Sequence, residues 1–285
     1  MIVQSHSSFQ LNCVAVGPQR TGTTWLYKSL ANHPQICFPK GVKETMFFDR
    51  HYEKGLPWYE AHFSHCTKQQ KHGEIAPTYF DVEEVPDRIY QLNPQCKIII
   101  NLRHPLERIL SVYRHYISLG MVKPNFDEAV KKYPHIVNAG HYSHYIPHWL
   151  NKFGSQQLYF ILLEDIQYRP DHVIKNLESF LGISPTPLDK LSNEKINATT
   201  LPKFPFLAKS FTQIAHFLRG NRLHGIVEFG KRLGLRKVYT GGEKRMPNLT
   251  KEKQTSLLKL YEPDTVYVEN LLGRSLPRWR EVNHQ

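Results

Sequence analysis

Short apolar runs alternate with longer amphipathic stretches over most of this chain. Residues 11–16 are mainly apolar and end at Gly17-Pro18, which predicts a buried strand running into a tight loop. Trp25, Leu26, Leu30 and Ala31 then share one face of a helix over residues 23–32, stopped by His33-Pro34. Residues 72–75 form a second apolar stretch. Lys97-Ile-Ile-Ile-Asn-Leu102 is the clearest buried strand, and a helix follows from about Pro105 to Ser118, with its proline suited to the first turn. Residues 158–163 predict another strand, and residues 171–181 another helix, ending near Gly182. Strands alternating with helices imply the α/β class, with a central parallel sheet flanked by helices on both faces.

The pattern changes after Gly182. Residues 203–245 carry ten Lys or Arg and two acidic residues, with aromatic and aliphatic residues interleaved. Such a stretch reads in large part as a solvated face. Its composition also suits an acceptor lid or an amphipathic segment making peripheral membrane contact. Thr250 reads as the cap of a terminal helical region. No repeat or linker divides the chain. The expectation is a single domain over residues 1–285, with about 183–245 as a variable, basic, partly helical region.

Composition narrows the partners. With 285 residues, 40% hydrophobic and 22% charged, the chain can bury an ordinary globular core. Its formal net charge of +12 favours anionic ligands, acidic polymers or anionic membranes. No apolar stretch is long enough to span a bilayer, and the polar first ten residues do not resemble a signal peptide. Cys13, Cys37, Cys66 and Cys96 are widely spaced, which suggests neither a structural zinc site nor a dense disulfide framework. A reducing, cytoplasmic location is the expectation that follows. The glycosylation triplets at Asn197 and Asn248 read as chance.

Two segments carry the chemistry. Gly17-Pro-Gln-Arg-Thr-Gly-Thr-Thr24 lies between a strand and a helix, where backbone amides and the positive helix end can cradle an anion. It has the frame of a nucleotide-triphosphate loop, but Thr23-Thr24 replaces the Lys-Ser/Thr pair that grips outer phosphates and magnesium. A lone cation, Arg20, lies inside the loop. Leu102-Arg103-His-Pro-Leu-Glu-Arg-Ile-Leu-Ser111 again runs from strand to helix, offering Arg103 and Ser111 to a separate phosphate. Two anion sites on adjacent strand ends suit a nucleotide phosphorylated at both ends of its ribose.

In order and spacing these segments resemble the 5′-phosphosulfate loop and 3′-phosphate motif of sulfotransferases that use 3′-phosphoadenosine-5′-phosphosulfate (PAPS). The likeness continues through Lys43-Glu-Thr-Met-Phe-Phe-Asp49, Gly55-Leu-Pro-Trp-Tyr59, Gly73-Glu-Ile-Ala-Pro-Thr-Tyr-Phe80, Gly140-His-Tyr142, Trp149-Leu150 and Leu163-Glu-Asp165. It is greatest toward the heparan-sulfate-modifying branch and its bacterial relatives. The resemblance covers residues 11–182 and 239 to the end, and is poor between. It implies a P-loop-like nucleotide-binding architecture. Arg20, Thr21, Gly22, Thr23 and Thr24 would hold the phosphosulfate, and Arg103 and Ser111 the 3′-phosphate. Glu44 falls on the family's catalytic glutamate. Gly242, Lys244 and Arg245 belong to a segment resembling the loop that closes over the nucleotide, without the disulfide usual beside it. Where heparan-type enzymes carry a lysine after the glutamate of Glu-x-x-x-Tyr-Phe, this chain has Ile75, which argues against a sulfated glycosaminoglycan acceptor.

The expected reaction is in-line transfer of a sulfonate group from PAPS to a hydroxyl or amine, with a carbohydrate the favoured acceptor and a lipid or small metabolite the others. Glu44 would be the general base, Arg20 the leaving-group stabiliser and Lys43 an electrostatic helper. His141 and Tyr142 are candidates to line the acceptor cleft, and Tyr142 equally fits the core. His144 and His148 share helical spacing but lack a third ligand, so no metal is expected. Two rivals differ in class. A nucleotide kinase needs the missing loop lysine and a magnesium site. A non-catalytic binder of acidic polymers needs only the charge. No nucleic-acid-binding motif is present.

Overall fold

The computed structural model describes residues 9–185, 210, 214, 218 and 248–282. Five strands, β1 (Cys13–Gly17), β2 (Ile36–Cys37), β3 (Lys71–Ile75), β4 (Lys97–Leu102) and β5 (Leu158–Leu162), form one sheet in the order β2-β3-β1-β4-β5. Every pairing is parallel, with Val14 level with Glu74 on one side and Ile98 on the other. The apolar runs are continuous because the sheet is buried on both faces. Successive residues still divide between the faces. Val14, Val16, Ile98 and Ile100 join Trp149 and Tyr79 in one cluster, whereas Cys13, Ala15, Ile75 and Ile99 join Trp25 and Leu26 in the other.

Helices cover each face. Thr23–Leu30 and Pro170–Leu181 bury Leu26, Leu30, Leu177 and Leu181 on the second face, while Val85–Leu92 and Tyr142–Phe153 bury Ile89, Ile146 and Trp149 on the first. Each large side chain so buried contributes roughly 1.5–3 kcal/mol. The predicted strands and the Pro105–Ser118 helix are present. β5 stops one residue short of its predicted end, because Leu163 opens the helix Leu163–Tyr168. β2 escaped the pattern, since two residues carry no period. Thr250 does cap the helix Lys251–Leu260, its hydroxyl accepting from the Lys253 amide at 3.2 Å.

The returning C-terminal segment is stitched to the end of β5. Arg274 makes two bonds to the Asp165 carboxylate, at 3.1 and 2.8 Å, and Trp279 Nε1 donates to Glu164 at 2.9 Å. The acids of Leu163-Glu-Asp165 therefore have a structural task. Among the described residues no helix is long and apolar enough to cross a membrane.

The spacing of the cysteines suggested no dense disulfide framework, and one bridge is present: Cys37 and Cys66 form a disulfide with Cα atoms 5.8 Å apart. Tertiary structure makes this pair: edge strand β2 carries Cys37, and the turn Ala61–Phe63 delivers Cys66 beside it. Cys13 and Cys96 remain as buried free thiols.

Candidate functional site

β1 lies at the centre of the sheet, where connections leave toward opposite edges, and ligands of such sheets sit beyond the strand ends at this point. The loop after β1 is tightly built. Gly17 has φ 105°, the Gly17-Pro18 bond is cis, and a Cβ on Gly17 would fall 2.6 Å from the Pro77 backbone. Gly22, at φ 95°, opens the helix Thr23–Leu30. The Thr21 hydroxyl turns inward and donates to the Pro18 carbonyl at 2.6 Å, so it braces the loop and leaves the backbone to face an anion. Arg20 also has a positive φ, 69°, a conformation that costs a non-glycine residue energy and fixes where its side chain emerges.

That side chain meets the second segment. Arg20 Nε donates to Ser111 Oγ at 2.9 Å, and Arg103 Nη1 donates to the Arg20 carbonyl at 3.2 Å. Arg103 is also paired with Glu107 at 3.1 Å, one helical turn on. Burial and then the Arg103 charge push the Arg20 pKa below its ordinary value. Two guanidinium groups gathered at one place favour an anion between them. Arg20, Arg103 and Ser111 thus stand together, as the sequence indicates.

Lys43 and Glu44 close the site from the far side. Lys43 Nζ lies 3.0 Å from Glu44 Oε1 and 3.4 Å from Thr23 Oγ1, at the start of the loop helix. Thr24, the next residue, is exposed. The segment holding Glu44 is anchored by its neighbours. Thr45 donates its amide and its hydroxyl to Glu74 Oε1, and Phe47 and Phe48 bury themselves, Phe47 stacking on Tyr59 at 4.6 Å. Glu74 is the residue that sequence reasoning missed. It is fully buried and also accepts from Tyr59 at 2.7 Å and, at longer range, from Tyr79. Burial raises its pKa to about 7 against the opposing pull of these donors. An acid in the second half of an apolar strand was the available signal. Ile75, beside it, is buried with Leu26 and Ile99.

A cleft of 280 Å³ adjoins this point, and its lining includes Asp49, Asp81, Thr78, Arg108 and His135. Arg108 emerges from the apolar stripe of the Pro105–Ser118 helix and is tied to the Ile136 carbonyl at 2.6 Å. Its place on that stripe was legible as an anomaly. Burial raises the pKa values of Asp49 and Asp81, that of Asp81 to about 6. His135 is lowered to about 4 by burial and then by Arg108 and Arg50, so its imidazole is neutral near pH 7. Tyr116 OH lies 2.5 Å from His135 Nε2.

His141 and Tyr142, candidates to line an acceptor cleft, do not line this cleft, and Tyr142 takes the core place that the sequence equally allowed. Tyr142 is fully buried, and its hydroxyl donates to the Arg103 carbonyl at 2.7 Å, so it braces the anion site from within the core. His141 is held by Asp264 at 3.2 Å, against Tyr261. His144 and His148 join no group of three potential metal ligands among the described residues. Gly242, Lys244, Arg245 and the basic segment around them lie outside the described residues.

Comparison with known proteins agrees with this geometry. The family model "Sulfotransferase domain" matches residues 12–209. Over 203 residues the chain is 30% identical to heparan sulfate glucosamine 3-O-sulfotransferase 6 of Homo sapiens, covering 68% of this chain and 58% of that protein. Over 204 residues it is 32% identical to a bifunctional heparan sulfate N-deacetylase/N-sulfotransferase of Drosophila melanogaster, covering 60% of this chain but only 20% of the relative. The crystal structure of a sulfotransferase from Alicyclobacillus acidocaldarius superposes with a TM-score of 0.68 at 20% identity, over 96% of this chain and 100% of that one, which concerns the fold alone. With a family match over more than half its length, the chain belongs to the family of sulfotransferase-domain enzymes.

Proposed function

We propose that this chain transfers a sulfonate group from PAPS to a hydroxyl or amine of a carbohydrate acceptor. The loop amides at residues 20–24 and the Arg20 guanidinium bind the phosphosulfate, and Arg103 with Ser111 binds the 3′-phosphate. The acceptor oxygen or nitrogen attacks sulfur in line with the departing phosphate. The bond from sulfur to the bridging oxygen breaks, and its electrons pass to the 5′-phosphate of 3′-phosphoadenosine-5′-phosphate. Glu44 takes the acceptor proton. Arg20, the amides and Lys43 stabilise the charge that grows on the bridging and sulfonate oxygens.

The observation that carries this reading is the meeting of Glu44, Lys43 and Thr23. It sets a carboxylate beside a cation at the start of the loop helix, 3.0 Å from carboxylate to ammonium. A cleft that mixes carboxylates, guanidinium groups and a neutral imidazole suits the many hydroxyls of a sugar. Incubating the protein with sulfur-labelled PAPS and an extract of its source tests the function, followed by identification of the labelled product. Labelled carbohydrate is the expected result. Stabilisation by ATP with magnesium in preference to PAPS would replace the reading with phosphoryl transfer.

A further inference from the structure

The Cys37–Cys66 bridge shares its surroundings with a third ligating group. His65 precedes Cys66, and its Nε2 lies 3.3 Å from Cys37 Sγ. The ligand atoms of Cys37, His65 and Cys66 all fall within 4.8 Å of one another, and no other such group of three occurs among the described residues. Both arms are fixed by backbone. Cys37 ends β2, which is paired to β3, and the Cys66 amide donates to the Phe63 carbonyl at 2.9 Å. A further bond, from the Lys40 amide to the His62 carbonyl at 2.9 Å, holds the two arms together. Cys37 is buried, Cys66 half-buried and His65 exposed, so one side of the cluster opens to solvent.

We propose that Cys37, His65 and Cys66 form a redox-gated binding site for a zinc-class divalent ion. A cellular dithiol opens the gate. Its two electrons pass to the Cys37–Cys66 bond, the dithiol becomes a cyclic disulfide, and two cysteine thiols result. These release two protons to solvent as their thiolates bind the ion. In a tetrahedral site with bonds of about 2.1–2.3 Å, neighbouring ligand atoms stand roughly 3.4–3.8 Å apart. The contact between Cys37 and His65, 3.3 Å, is already close to that spacing, and the two sulfurs must separate. Cys66, half-buried at the end of a turn, supplies this by rotating its side chain. Water from the open side completes the fourth position. Two thiolates and an imidazole select a zinc-class ion over magnesium or calcium, which prefer oxygen.

The other two cysteines do not compete, because burial pushes Cys13 up to about 12 and Cys96 well above its ordinary value. The site was invisible in sequence, since Cys37 lies far from the adjacent pair His65-Cys66. It sits at the root of the segment leading to Lys43 and Glu44, so either closure pins that segment.

The test uses the full chain, reduced by a phosphine and titrated without oxygen, first with cobalt(II) and then with zinc(II). One cobalt per chain is expected, with thiolate-to-cobalt charge-transfer absorption that zinc abolishes. The oxidised protein should show none. His65→Ala, a change at an exposed position that leaves the fold intact, should weaken binding about tenfold or more, at least the cost of losing a supporting group. Cys66→Ser should remove the two-thiolate absorption. A thiol count proving the bridge reduced, with no absorption on adding cobalt, would overturn the proposal. So would unchanged affinity in His65→Ala, or unchanged absorption in Cys66→Ser. The pair would then be a disulfide and nothing more.

Discussion

The strand-end cluster of Arg20, Arg103 and Ser111 differs in kind from the cleft of Asp49, Asp81, Arg108 and His135. The first is an excess of positive charge built on two strand-end loops, with Glu107 paired to Arg103. Burial and Arg103 both disfavour the Arg20 charge, a cost that an arriving anion reverses. The second mixes acids and bases, and burial pushes its carboxyl groups up and its imidazole down. Under the proposed function the first region would take a highly charged nucleotide and the second a ligand that offers hydroxyls. On that reading the donor is held by backbone and fixed charge, whereas the acceptor is read by side chains from separate segments.

The largest expected effect separates the two regions at Glu44. An amide cannot take the acceptor's proton, so Glu44→Gln should lower turnover by roughly 10²–10⁴. PAPS affinity should stay near normal, because the donor rests on other residues. Lys43→Ala should be milder. Transfer rates and nucleotide titrations on the same variants check this. Near-normal transfer by Glu44→Gln would move the base into the cleft, to Asp81 or His135.

Glu74 lies beneath both regions, and its effect should appear in pH dependence. Its pKa is about 7 in the fold against 4.5 ordinarily, so folding favours its proton. That stabilisation is complete below the unfolded value and is lost as pH rises through about 7, on the order of 3 kcal/mol. Glu74→Gln carries no titration. The stability of wild type minus that of the variant should therefore fall between about pH 4.5 and 7. Melting curves across that window measure it, and a constant difference would mean that Glu74 ionises freely in the fold.

Arg103→Ala strikes the donor side alone. It should cost roughly 1–3 kcal/mol in binding of 3′-phosphoadenosine-5′-phosphate, with little change for the analogue lacking the 3′-phosphate. Equal losses for both ligands would assign Arg103 to the loop, through its bond to the Arg20 carbonyl. The smallest effect is a control remote from both regions. Thr250→Ala removes a helix cap and should lower stability by about 1 kcal/mol, leaving nucleotide binding and turnover unchanged.

The donor region was legible because its parts are contiguous. Strand, glycine loop and helix follow one another in residues 13–30, and the pattern repeats from Lys97 to Ser118, so local spacing carries the geometry. The cleft was only partly legible. Arg108 betrays itself as a charge on an apolar stripe, but Asp49, Asp81 and His135 look like ordinary polar residues until three segments converge. The facing of His141 and Tyr142 was not legible either, because sequence position says nothing of which way each side chain turns. Tyr142 points to the core and His141 to Asp264.

By itself the sequence determined the parallel α/β sheet, its alternation of strands and helices, and the two strand-end segments that resemble those of the sulfotransferase family. Periodicity and short-range loop chemistry are local properties, written along the chain. Only the tertiary structure decided that Arg20 reaches Ser111 across 91 residues, that buried Glu74 holds the segment of Glu44, and that Cys37 meets His65 and Cys66. Those contacts depend on strand order and on the packing of helices against the sheet. The free energy that sets them is shared among many buried side chains, and no spacing along the chain records it.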